Sequence, residues 1–170
     1  MLKESKAFLK KEDKPREINE IVWFEQGILA LNFERIMEAA QYFFFLEESK
    51  NSAVFFNLAL CFFRVENYEE SYMYLQKALF ELPRNLNGTS FGANLLNMKK
   101  YEEENEAYKE PMLYLTPIQF PNLAREQILR LLVDILFLLN KKDEMLKVIS
   151  SLQNKNYRNI KEKLKKELKI

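Results

Sequence analysis

Histidine is the usual acid–base group near neutral pH and the commonest metal ligand, and this chain has none. Cys61, its one cysteine, therefore has no imidazole to activate it as a nucleophile. A carboxylate site, and with it a carboxylate-based enzyme, stays formally open, although Asp13, Asp134 and Asp143 are the only aspartates. Asp134 sits in the apolar run LLVDILFLL; it is read as a polar stripe at the solvent edge, the alternative being a perturbed acid or a partner contact. Gly27, Gly88 and Gly92 are the only glycines, and no phosphate-cradling loop can be written with them. These residues lead to the expectation of a non-enzyme without metal or cofactor. Cys61 is expected to be a buried structural thiol.

Charge adds little that is specific. The chain has 26 basic and 25 acidic residues, so no nucleic-acid or membrane partner is expected. The cluster Glu102-Glu103-Glu104-Asn105-Glu106 reads as a solvated helix face. The lysine-rich tail from Lys155 to Lys169 reads as a terminal cap of the kind that stacked repeats need. The first fifteen residues hold no apolar stretch of signal-peptide length. The apolar run from Ile128 to Leu139 is too short to span a bilayer and contains Arg130 and Asp134. A cytoplasmic location is the expectation.

Scarce glycine and abundant Leu, Glu, Lys and Ala favour helices. Ile21, Phe24, Ile28 and Leu31 recur at the spacing of one helical face. Pro15 suits a helix start, and Asn32, the stretch 49–52, Asn67 and Pro83 mark turns. Helices are predicted at about 15–31, 34–48, 52–65, 68–82, 93–110, 122–140, 143–153 and 156–169. Three prolines predict an extended segment over 111–121. Tyr157, Ile160, Leu164 and Leu168 share one face of a closing amphipathic helix.

The segment Ser52–Asn85, SAVFFNLALCFFRVENYEESYMYLQKALFELPRN, has an internal logic. Phe55, Leu58, Ala59, Phe62, Tyr68, Ser71, Leu75, Ala78 and Pro83 fall where the tetratricopeptide repeat places its large and small residues, and the segment resembles that family. Trp23, Gly27, Ala30, Ala39 and Phe43 repeat the pattern more loosely, departing from it at Ala30 and Leu46. A third unit near 129–155 keeps only the apolar rhythm: Leu132, Ile135, Leu136, Leu139, Met145, Val148, Ile149 and Leu152. The resemblance implies an all-α, right-handed superhelical stack of antiparallel helix pairs, with about seven or eight helices and a terminal capping helix. One domain over 1–170 is expected, with units at about 20–51 and 52–85, an irregular insert at 86–121, and a degenerate unit and cap at 122–170.

The family's first helices line a concave groove. Carried over position by position, that groove is lined by Phe24, Ile28, Leu31, Asn32, Ala53, Phe56, Asn57, Leu60, Phe63 and Arg64. Asn57 alone keeps the residue type of the subfamily that clamps chaperone tails; Phe24 and Ile28 replace the others. An apolar groove with Arg64 at its edge would take a peptide or an amphipathic helix with an acidic flank. The expected role is a protein-binding scaffold or adaptor. The alternatives are a dedicated chaperone for an aggregation-prone client and a self-associating module whose groove pairs with a second copy. An exposed apolar groove needs a cover: a partner, the chain's own 84–121 segment, or the terminal helix.

Overall fold

The computed structural model describes residues 19–83 and 101–168. Expectations placed on 1–18, 84–100 and 169–170 lie outside that range; they include Pro15 as a helix start and the opening turns of a helix over 93–110. Among the described residues all regular structure is helical, and no helix is long and apolar enough to cross a membrane.

Among the described residues four helices come first: α1 (Glu20–Asn32), α2 (Ile36–Phe45), α3 (Ser52–Arg64) and α4 (Tyr68–Phe80). Asparagine side chains cap three of them: Asn19 accepts from the amide of Ile21, Asn51 from Ala53 and Asn67 from Glu70. Helix α2 stops short of its predicted end because Glu47–Ser49 tightens into a 3₁₀ turn and Lys50 takes φ 54°. A second 3₁₀ turn, Ala107–Lys109, leads into a non-helical stretch at 110–113. The segment 111–121 is not extended throughout, as its prolines predicted. Pro117 lies in the first turn of a short helix α5 (Thr116–Gln119), and Pro121 opens α6 (Pro121–Leu138), positions where a missing N–H is harmless. Helices α7 (Lys142–Ser151) and α8 (Arg158–Leu168) follow.

Each helix of α1–α4 packs on the next; α4 meets α6, and α6 meets α7 and α8. Helix α3 is the centre, with every residue from Ser52 to Phe62 buried. The small residues expected at helix contacts are all buried: Gly27, Ala39, Ala59, Ser71 and Ala78. The Ser71 hydroxyl donates to the carbonyl of Ala59 at 2.7 Å, tying α4 to α3.

Three helix pairs share one turn. Glu34, Glu66 and Asn140 take left-handed φ values of 58°, 60° and 57°. Their amides donate back to Leu31, Phe63 and Phe137. The next amides, of Arg35, Asn67 and Lys141, donate to Ala30, Phe62 and Leu136. This is the Schellman ending of a helix, and Arg35, Asn67 and Lys141 then cap the next helix with nearly equal ψ of 66°, 74° and 66°. A left-handed glutamate is strained by its Cβ. Glu66→Gly should therefore raise the unfolding free energy in urea by about 0.5–1 kcal/mol, even after the added unfolded-state entropy of glycine.

Counted from those turns, Gly27, Ala59 and Val133 stand at one structural position, and Phe43, Leu75 and Ile149 at another. A Cβ on Gly27 would lie 2.7 Å from the Phe43 ring, which is fully buried and cannot retreat. Gly27→Ala should destabilise by about 1–3 kcal/mol despite alanine's higher helix propensity. Adding Phe43→Leu, the residue type at the equivalent position of the second pair, should recover most of the loss, as read by thermal unfolding.

Candidate partner-binding face

Asn57 lies fully buried on α3, where an amide must find partners or lose several hydrogen bonds. It finds them in one residue: its Nδ2 donates to the Met112 carbonyl at 2.9 Å, and its Oδ1 accepts from the Met112 amide at 2.9 Å. Two residues on, Asn51 Nδ2 donates to the Tyr114 carbonyl at 3.1 Å. The Tyr114 ring meets Phe24 of α1 edge to face, with centroids 5.1 Å apart, and its hydroxyl donates to Glu20. Side chains alternate along this strap as in a strand: Met112 is buried, Leu113 exposed, Tyr114 half-buried and Leu115 exposed. The segment 110–115 thus lies over the face of α1 and α3 that the sequence assigned to a groove. The terminal helix packs on α6 instead.

The predicted lining residues divide accordingly. Phe24, Leu31, Ala53, Phe56, Asn57 and Leu60 are buried, Ile28, Phe63 and Arg64 half-buried, and Asn32 exposed. Phe24, Ile28 and Asn32 border an open cleft of about 490 Å³ between α1 and the strap. Leu31, Asn32 and Arg64 border a second cleft with Glu34, Ile36 and Glu110. The Arg64 guanidinium is not a bare cation at the rim: Nη1 donates to the Leu31 carbonyl at 2.8 Å, and Glu34 and Glu110 share its cleft. Phe63 rests on Tyr68. Ile21, Leu29, Leu113, Leu115 and Phe120 complete the first cleft, all of them exposed. The alternation in the PMLYL stretch is the signal that could have singled out Leu113 and Leu115. For Leu29 there was only its place beside Ile28.

A second buried polar cluster corrects the reading of Asp134. Its residue is 4% exposed rather than at a solvent edge. Glu126, Arg130 and Asp134 recur every fourth residue on α6, so they share one face, and that face is covered by 102–109 and by 153–163. Asp134 accepts from the Tyr108 hydroxyl at 2.6 Å and from Asn159 Nδ2 at 3.1 Å. Arg130 lies between the rings of Tyr108 and Tyr157, 4.2 and 4.0 Å from their centroids, and donates to the carbonyls of Glu102 and Asn105. Glu126 accepts from the amides of Gln153 and Asn154. Burial lowers the Arg130 pKa against the opposing charges around it, and burial with Glu126 pushes Tyr157 up to about 12. The arrangement clamps the C-terminal elements to α6. Its charges face one another, and among the described residues no three His, Cys, Asp or Glu side chains converge as a metal site requires. Burial likewise pushes the Cys61 thiol up to about 12, far from a reactive thiolate.

Comparison with family models, curated proteins and solved structures yields no match to this chain.

Burial, then the Asp134 charge, raises the Tyr108 pKa above its ordinary value. The folded chain therefore keeps a proton that the unfolded chain releases near pH 10, so stability present below that pH falls as pH rises above it. Tyr108→Phe should cost about 1.5–3 kcal/mol at pH 7, because the buried Asp134 carboxylate loses one of its donors. It should also flatten the alkaline fall, as read by urea unfolding at pH 7 and pH 10.5.

Proposed function

We propose that this chain is a protein-interaction module of the tetratricopeptide-repeat type, a stacked solenoid of helix pairs acting as a scaffold or adaptor. The recurring turn and the small residues between paired helices support the repeat reading. The observation that carries the function is the open apolar cleft between α1 and the strap. Ile21, Leu29, Leu113 and Phe120 stay between 42% and 64% exposed around a space of about 490 Å³. Solvated apolar surface gathered in one concavity is what a peptide or helix partner covers.

Among the described residues, the wall of this cleft carries Glu25 and no lysine or arginine. A partner with apolar anchors and a basic flank suits it, the opposite sign from that suggested by Arg64 in the sequence. The lone buried thiol suits a reducing compartment, and the cytoplasm is the proposed location.

Leu60→Glu would bury a charge in the core and is no test of binding. Ile21→Glu with Leu29→Glu alters two exposed residues of α1. Affinity capture from the native host with mass spectrometry should recover a partner with the wild type and lose it with the pair, while circular dichroism stays helical. Equal capture by both would sink the cleft assignment. A stable dimer in light scattering, dissociated by the same pair, would make the occupant a second copy.

A further inference from the structure

We infer that the strap, residues 110–115, is an exchangeable internal ligand, and that the face beneath it accepts an extended peptide of the same chemistry from a partner. The inference rests on the reading of this face as a peptide-holding surface. It goes further in naming the ligand class and the atoms that select it.

The strap is held as peptides are held. Asn57 makes a pair of hydrogen bonds to the main chain of one residue, Met112, and none to its side chain. Asn51 takes the main-chain carbonyl two residues later. Main-chain bonds of this kind supply affinity without reading sequence. Selection comes from the alternate residues that point inward: Met112, 1% exposed, and Tyr114 against Phe24. Leu113 between them faces solvent at 64% exposure. The ligand class is therefore an extended segment with a flexible apolar residue, any residue, then an aromatic. The first anchor must also carry an amide N–H for Asn57 Oδ1.

The strap is not a helix, and its first residue, Glu110, is extended, with φ −83° and ψ 155°. Its exposed flank, Leu113 and Leu115, continues into the open cleft, so an incoming peptide has apolar surface on which to land before it exchanges. The binding-competent fraction is set by strap opening, which lowers apparent affinity by that fraction and makes the strap an intramolecular competitor.

A synthetic peptide of residues 109–116, KEPMLYLT, tests this by fluorescence anisotropy. Met112→Ala with Tyr114→Ala should weaken the strap and changes no residue of α1 or α3. That variant should bind the peptide one to one, at least tenfold more tightly than wild type does. Asn57→Ala added to it, or proline placed at the Met112 position of the peptide, should each lose tenfold or more. A helical variant that does not bind the peptide, or that binds it equally well without Asn57, overturns the proposal. Should the variant not fold, hydrogen exchange on the wild type decides. The Met112 amide should exchange through local opening, at least a hundredfold faster than the amides of Leu58 to Leu60. Exchange only at the rate of those core amides would make the strap a fixed part of the fold. Because Ile21 and Leu29 are untouched throughout, failure here leaves the open cleft standing, and failure of the cleft variants leaves the strap result readable.

Discussion

Helix α3 has no solvent side, and much of the structure follows from that. Eleven successive buried residues leave no stripe for water. A helix apolar all round needs neighbours all round. Helices α2 and α4 cover two sides. The third is the face on which a two-helix repeat would ordinarily leave a groove. Here it carries Phe56, Leu60 and the amide of Asn57; left open, it would expose a large apolar patch, and covered by apolar groups alone it would bury that amide unpaired. The strap answers both needs at once: Met112 fills space, and its peptide group completes the Asn57 amide. One polar residue in an apolar face thereby sets the register of the segment that crosses it, since a shift of one residue would bury Leu113 and expose the anchors.

Helix α6 solves the same problem with charge. It too is buried over most of its length, and Glu126, Arg130 and Asp134 are the polar residues on its covered face. Each is answered by groups from 102–109 or 153–163. Such a cluster adds little net stability over a well-packed apolar one. It does specify which segments lie there, because an apolar substitute could not pair the buried carboxylates. Asn57 and Asp134 thus play parallel parts, one beneath the strap and one beneath the C-terminal elements, and Tyr108 and Met112 join the two, a few residues apart on one connection.

The sequence made some of this legible. The hairpin over 52–80 could be read because Ala59, Ser71 and Ala78 are small where helices meet, and Asn51 and Asn67 are good caps. The α6–α7 pair could not be read so well, because Val133, Met145 and Leu152 stand at those positions and give only rhythm. The shared turn was hidden because glutamate and asparagine, not glycine, occupy the left-handed position. Asp134 was misjudged for a different reason. Its environment comes from residues 25 or more positions away, and a local apolar run says nothing about what covers it. The lining of the groove was legible as a face of α1 and α3. The 84–121 segment was one of three covers open to that face, and no local pattern chose among them, because the choice depends on where the connection from α4 to α6 runs.

The three helix pairs that share the turn fill their interiors differently. At the position shared by Gly27, Ala59 and Val133, the side chain grows from nothing to three carbons. At the position shared by Phe43, Leu75 and Ile149, the aromatic of the first pair gives way to an aliphatic in the others. In the first pair the glycine leaves the space that the Phe43 ring occupies, 2.7 Å from where a Cβ would be. Between the first two pairs a larger residue at one position accompanies a smaller one at the other, whereas Val133 and Ile149 together are bulkier than Ala59 and Leu75, so the third pair is filled on different terms. A helix pair can therefore divide its interior differently each time and still close through the same turn. A pattern that scores positions singly does not see that Gly27 and the Phe43 ring share one space, because that is a property of the pair and not of either residue.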